Sequence, residues 1–500
     1  MTNKATTTSK KKNIEAIYPL TPLQEGMLFH AIMDPHSGVY FEQMSVTFRG
    51  KVNEDAFRKA WQFIIDRHQI LRTAFVYRKV EKPVQVVHRT VPLPLQVLDW
   101  RDRSPEEQEK ELVRFLEEDR RRGFKLNQAP LMRFYLIYLD DDRVEFVWSQ
   151  HHLTMDGWSR PILLKEVFAA YDAFSQGQTP QLPPVRPYKQ YIQWLKRQDE
   201  KAAEQFWKEL LRGFTAPTPL NIDTIPGDEK GRRDYDRVAV SLSAGLSSAV
   251  EQLARENQIT VNTILQSAWA LLLSYYAGQD DVVFGATVSG RPPEIPGVEE
   301  MVGMFINTLP VRVRIRPGQS VREWLAENQA LMVKMRQFEY TPLVKVQNWS
   351  DVPAGTPLFD SIFVFENYPV DRAMNERQMA LDVESVKTHA RTNFPLTIVA
   401  APGENIHLLV AFDATRFGRQ TIERLLSHME NILRGFVEDP DQPVVRIPIV
   451  SAEEQQTILS ALTGKTVSLP EGETIVSRFE QIVAEHAEAT AAVFHHPDSK

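Results

Sequence analysis

Cysteine is absent from all 500 residues, so neither disulfides nor thiolate chemistry can reside on this polypeptide, a composition that fits a reducing cytoplasm. No apolar run approaches membrane-spanning length, and no membrane partner is expected. The amino terminus carries Lys4, Lys10, Lys11 and Lys12, but no apolar core follows them, so the segment does not read as a secretory signal. Positive charge is in deficit: the net charge of -7 gives no reason to expect nucleic acid as a partner. No glycine-rich phosphate loop and no Gly-x-Ser-x-Gly elbow occurs.

What remains is ordinary for a globular chain, 43% hydrophobic and 25% charged, and long enough for more than one core. The informative stretch is 143–159. Val144, Phe146 and Trp148 alternate with polar neighbours, the period of a half-buried strand. Asp156-Gly157 then breaks the strand, and Ser159 is placed to cap a helix with Ile162, Leu163, Val167 and Phe168 at helical spacing. His151, His152 and Asp156 therefore fall on a strand-to-helix loop, where a rigid scaffold can present groups that move protons near neutral pH.

The residues alone leave three readings of this loop. The histidines can be ordinary packing residues stacked on Trp148 or Trp158. They can be metal ligands, but Gly157 spoils the helical geometry that His and Asp four apart would need. No third ligand cluster accompanies them, so no metal is expected. Or they can supply a general base for acyl transfer, with Asp156 as a structural anion.

His151-His-x-x-x-Asp-Gly157 resembles the core motif of condensation domains in nonribosomal peptide synthetases, relatives of chloramphenicol acetyltransferase. Further segments resemble that family's other motifs in the family's order. They are Leu20 to His30, Arg67 to Phe75, Tyr188 to Leu195, Val302 to Leu309 and Arg391 to Leu396. The resemblance covers residues 14 to about 450 and implies an α/β fold: two acetyltransferase-like lobes in a V-shaped pseudodimer around a central tunnel. Alternation of strands and helices in both halves agrees with layered α/β lobes.

In chain order, residues 1–13, rich in Lys, Thr and Ser, read as a flexible tail, with a docking segment for an upstream synthetase subunit as the alternative. The first lobe is assigned to 14–178 and the second to 179–450, with proline punctuation from Ser175 to Pro187 between them. The pattern predicts a charged, mostly solvated helix over Pro105 to Arg122 and a hairpin around Asp140-Asp141-Asp142 that delivers the histidines. It also predicts one long helix over Tyr188 to Leu211, a polar connector over Thr215 to Asp234 and a strand over Met304 to Ile315. Residues 451–500 resemble a linker and the truncated start of an adenylation domain, with Val476 to Val483 in the segment that resembles its opening. No carrier-protein serine motif occurs, so this chain neither activates nor carries an amino acid.

The resemblance implies attack of an acceptor amine on a donor thioester. Both substrates would arrive on 4'-phosphopantetheine arms of carrier proteins, and no cofactor would be bound to this chain. His152 matches the family's catalytic histidine and would take the amine's proton or position the amine. His151 is expected to pack, since neighbouring strand residues point opposite ways. Asp156 is expected to form a salt bridge that holds the loop, with Arg291 as preferred partner and Arg67 or Arg72 as runner-up. Gly157 leaves room beside the tunnel or simply makes a turn. Asn307 is a candidate tunnel donor on one strand face with Gly303, Phe305 and Leu309, or else bonds a neighbouring loop. Asn393 would line the tunnel from the second lobe. Trp158 and Trp207 read as core, Trp158 being also a candidate for the tunnel wall.

The intact histidine pair argues against heterocyclising relatives. The alternatives are an epimerisation domain, which shares the motif, and an inactive platform that recruits carrier proteins. Resemblance of subunit-initial domains to those following an epimerising partner suggests a D-residue donor.

Overall fold

Residues Arg143–His151 form β7, the central strand of a five-stranded sheet ordered β12-β2-β7-β6-β5. Its neighbours are β2 (Phe41–Arg49) and β6 (Met132–Tyr138), both antiparallel to it, and β5 (Leu95–Asp99) joins β6 in parallel. The edge strand β12 (Asp382–His389) comes from far along the chain and pairs with β2 from Asp382↔Arg49 to His389↔Gln43. A computed structural model gives this arrangement and describes residues 13–35, 37–223, 235–366, 382–464 and 472–490. The predicted tail, apart from Asn13, lies outside the described residues, as does the end of the polar connector, 224–234.

The strand β7 is buried on both faces, against the half-buried expectation. Val144, Phe146 and Trp148 meet the helices Glu54–Arg67 and Ser159–Ser175, with the Trp61 ring 5.0 Å from Trp148 and 4.4 Å from Phe134. On the other face Val147 packs with Leu112, Phe115 and Leu116 of the helix Pro105–Arg122. That helix therefore turns an apolar stripe inward, its charges notwithstanding. Its start is set by a capping box, Ser104 accepting the Glu107 N–H while Glu107 reaches back. The alternation was misleading because Glu145, polar by composition, is buried and accepts hydrogen bonds from the Ser45 and Thr47 hydroxyls.

A second sheet of six strands has the order β10-β9-β11-β13-β14-β8. They are β8 (Tyr235–Ser241), β9 (Asp281–Val288), β10 (Asn307–Arg314), β11 (Ser361–Phe365), β13 (Leu396–Ala401) and β14 (His407–Asp413). Only β11 runs parallel to its neighbours. Helices Val261–Ala277 and Arg419–Glu438 contribute to its core. The amino-terminal strand β1 (Ile14–Pro19) belongs to a small third sheet with β4 (Val84–His88) and β3 (Thr73–Val76).

Two predicted elements are shorter than expected. The helix over Tyr188 to Leu211 is broken into Lys189–Leu195 and Glu200–Leu211, because Asp199 caps the second by accepting the Lys201 and Ala202 N–H groups. The strand expected from Met304 begins at Asn307, since the backbone of 303–305 is bonded elsewhere.

The described residues up to Ile449 form one compact unit and those from Val450 onward another. In the second, Ser451 and Thr474 cap the helices Ala452–Leu462 and Ile475–Glu485. No helix among the described residues is long and apolar enough to cross a membrane.

Candidate active site

The end of β7 holds His151 as its last residue and places His152 just beyond it. The His151 ring is buried, its Nδ1 accepting the Leu153 N–H at 3.2 Å, with the Phe124 ring edge-on at 6.4 Å. Burial pushes its pKa down to about 3, with the His152 charge adding to the effect and Glu42 opposing it. His151 is thus a neutral packing group at ordinary pH.

His152 lies just beyond the strand and is 18% exposed. Its backbone N–H is donated to the Tyr40 carbonyl at 2.8 Å. Its ring Nδ1 lies 2.9 Å from the Met155 carbonyl oxygen, which can only accept, so Nδ1 carries a proton and Nε2 is the nitrogen that holds the lone pair when the ring is neutral. The local turn therefore selects the tautomer that a general base needs.

Asp156 is fully buried and organises the loop that follows. Its Oδ1 accepts the Ser159 N–H at 3.0 Å and the Ser159 hydroxyl at 2.8 Å, and its Oδ2 accepts the Phe305 N–H at 3.1 Å. The Asp156 N–H is donated to the Gly303 carbonyl at 3.1 Å. The cation is Arg291, whose guanidinium reaches Asp156 at 3.1 Å and lies 4.2 Å from the centre of the Phe305 ring. Arg67 and Arg72, the runner-up partners, are elsewhere: Arg67 pairs with Glu166 at 3.1 Å and Arg72 with Glu15 at 2.7 Å. Ser159 is not the helix cap expected of it but the first helical residue, capped in effect by Asp156.

These bonds explain why β10 starts late. The Gly303 carbonyl and Phe305 N–H go to Asp156, and the carbonyls of Met304 and Phe305 accept the Tyr188 and Tyr191 hydroxyls. Gly303 and Phe305 therefore do not share a strand face with Asn307. Glycine is required at 290, where φ is +59° and a Cβ would meet the Phe305 carbonyl oxygen at 1.9 Å.

Other candidates fall in different places. Gly157 is not among the positive-φ glycines, so its conformation does not demand glycine. Asn307 donates both amide hydrogens to the carbonyls of Glu339, at 2.9 Å, and Thr341, at 2.7 Å. It serves a loop, and the expected free tunnel donor is corrected on that ground. Trp207 is core, its indole N–H on the Thr341 hydroxyl at 3.0 Å. Trp158 is half-buried, which corrects its reading as core. Asn393 Oδ1 accepts the Tyr40 hydroxyl at 2.9 Å, and the Tyr40 carbonyl in turn accepts the His152 N–H.

Glu42 was not anticipated. It lies on β2 opposite Gln150, with Oε1 3.4 Å from His152 Nδ1 and Oε2 2.9 Å from the Arg160 guanidinium. Burial would raise its pKa, but His152, Arg160 and a hydrogen bond from Gln150 outweigh that and hold it at about 2. The strand was legible, but its register against β7, which brings Glu42 to His152, was not. No group of three or more His, Asp or Glu side chains is placed to hold a metal among the described residues.

The arrangement offers an imidazole whose Nδ1 is bonded to the Met155 carbonyl, set on a loop clamped by a buried ion pair. One of the linear gramicidin synthase proteins of Brevibacillus parabrevis is 43% identical over 97% of this chain, which spans 6% of that relative's length. Chondramide synthase from Chondromyces crocatus is 38% identical over 90% of this chain, which spans 12% of it. A holo four-domain nonribosomal peptide synthetase bound to AMP and glycine superposes with a TM-score of 0.76 at 17% identity, over 94% of this chain and 36% of that one. The first condensation domain of the calcium-dependent antibiotic synthetase, solved with a substrate analogue, gives 0.70 at 17% identity, over 87% of this chain and 100% of that one. The fold is thus that of solved condensation domains. The condensation-domain profile matches residues 14–459, which take in every residue of the site, and the chain belongs to the condensation-domain family.

Proposed function

We propose that this chain forms a peptide bond by attack of an acceptor aminoacyl amine on a donor peptidyl thioester, each carried on the 4'-phosphopantetheine arm of a carrier protein. The observation that carries this reading is the tautomer of His152: Nδ1 is committed to the Met155 carbonyl, so Nε2 is the basic nitrogen. In the step itself the amine nitrogen bonds to the thioester carbon and its proton passes to Nε2. The tetrahedral intermediate collapses with cleavage of the C–S bond, and the donor arm leaves as a thiolate that takes up the proton. Holding the amine in line with the carbonyl supplies much of the acceleration. Asp156 and Arg291 act by fixing the loop, not by exchanging protons. Residues 451–500 would lead into an adenylation domain that loads the acceptor carrier.

The test mixes the chain with one carrier bearing a short peptidyl thioester and another bearing an aminoacyl thioester, and follows the acceptor by intact mass. The peptidyl mass is expected on the acceptor with the unaltered chain and not with His152→Ala. A donor ending in a D-residue is expected to transfer faster than its all-L counterpart. Inversion of the donor stereocentre without transfer would establish an epimerase, and no change with matched carriers would leave a recruiting platform.

A further inference from the structure

Glu42 is a buried carboxylate whose position needs a reason. It does not fill a gap in an apolar core: the Gln150 amide, 2.5 Å away, and the Arg160 guanidinium both donate to Oε2, leaving Oε1 turned toward the imidazole of His152. Gln150 and the histidine pair come from the end of β7, Arg160 from the first turn of the helix Ser159–Ser175, and Glu42 from β2. Three elements thus converge on one carboxylate at the proton-bearing nitrogen of the ring.

We propose that Glu42 is a positioning residue for the transfer reaction: its carboxylate holds the His152 ring with Nε2 outward and stabilises the imidazolium formed when Nε2 takes the amine's proton. The inference rests on the reading of His152 as the base. Nδ1 is 2.9 Å from the Met155 carbonyl and 3.4 Å from the Glu42 carboxylate, so a positive charge on the ring finds an anion close by in a site largely shielded from water. Arg160 tempers that anion and keeps it charged. The titratable and charged groups around Glu42 are His151 on β7, His152 after it, Arg160, and Glu366 at the end of β11, which interacts with both Glu42 and Arg160.

The sign of the effect differs between the two partners, which makes the proposal testable without turnover. Glu42→Gln keeps the shape and removes the anion, and Arg160→Gln removes the cation. With the histidines labelled at Cε1 and the His152 signal assigned by its loss in His152→Ala, the ring should titrate at lower pH in Glu42→Gln. The expected displacement is on the order of one pH unit. In Arg160→Gln it should titrate at higher pH, and the double variant should return toward the parent. Transfer between loaded carriers should fall by roughly tenfold or more in Glu42→Gln, with the rising limb of its pH profile displaced as the ring is. Glu42→Asp should keep part of the rate. Equal ring titrations in the parent and Glu42→Gln, or displacement of both single variants in one direction, overturns the proposal whether or not the chain transfers peptide. Should Glu42→Gln not fold, Arg160→Gln and Glu42→Asp still carry the titration. Absence of transfer by the parent, with the titrations as expected, would sink the peptide-bond reading and leave the pairing standing.

Discussion

Tyr40 and His152 are joined through the main chain, the Tyr40 carbonyl accepting the His152 N–H at 2.8 Å while Tyr40 itself holds φ at +64°. A bulky residue in the left-handed region costs about 1–3 kcal/mol and persists only where its surroundings fix it. Here three bonds do so. Besides the bond to His152, the Tyr40 N–H is donated to the Arg391 carbonyl at 3.1 Å and its hydroxyl to Asn393 at 2.9 Å. The position of His152 is thereby tied to the segment that follows β12. Tyr40→Phe removes only the hydroxyl bond and should lower stability by about 0.5–1.5 kcal/mol in urea unfolding. It should slow transfer while leaving the His152 ring titration in place. A displaced titration would mean that Tyr40 acts on the ring electrostatically instead of through the backbone.

The buried pair of Asp156 and Arg291 should behave as a unit. Arg291→Met leaves a fully buried carboxylate without its cation and is expected to cost about 3–5 kcal/mol, with loss of transfer. Removing the charge from both sides, in Asp156→Asn with Arg291→Met, should be less damaging than the sum of the two single changes. A double-mutant cycle in urea measures this directly. Strict additivity would show that the contact contributes nothing as a pair, and that the loop is held by the backbone bonds to Gly303 and Phe305 alone.

Gly290 and Gly278 separate space from backbone strain. Both have positive φ, +59° and +63°, but a Cβ at 278 meets nothing within 4 Å whereas at 290 it strikes the Phe305 carbonyl. Gly278→Ala should cost about 1–2 kcal/mol, the left-handed penalty of an ordinary residue. Gly290→Ala should cost clearly more and should also reduce transfer, because Phe305 must move away from Asp156. Equal losses of thermal stability in the two variants would refute the close approach.

How far the sequence reached can be judged at these same residues. Local chemistry was legible: the charged stretch from Pro105 to Arg122 is a helix, and Asp140-Asp141-Asp142 marks the hairpin before the histidines. The partnership of Asp156 with Arg291 came from the family resemblance, since 135 residues separate them and nothing in their spacing joins them. What escaped was whatever depends on register or on distant pairing. The strand β12 has exposed residues through most of its length and completes a sheet whose other strands lie far earlier in the chain, as the pairing of Asp382 with Arg49 shows. Glu42 escaped for the same reason. Asn307 was misjudged because a strand pattern was extended through backbone whose donors and acceptors are bound by Asp156, Tyr188 and Tyr191.

His151 carries the pH dependence that the fold itself should show. Burial lowers its folded-state pKa to about 3, whereas the unfolded chain titrates near the ordinary histidine value of about 6.5. Between these values the unfolded state binds the extra proton, so stability must rise with pH through this window. The contribution is complete above about pH 6.5 and is lost progressively as the pH falls toward 3. His151→Asn keeps an acceptor for the Leu153 N–H without a proton to gain. Its unfolding free energy should therefore decline less steeply between about pH 6.5 and 4.5 than that of the parent, even if it is less stable at neutral pH for want of the ring. Parallel curves for the two proteins over that range would show that the ring is not buried in its neutral form. The packing role assigned to His151, beside the reactive His152, would fall with it.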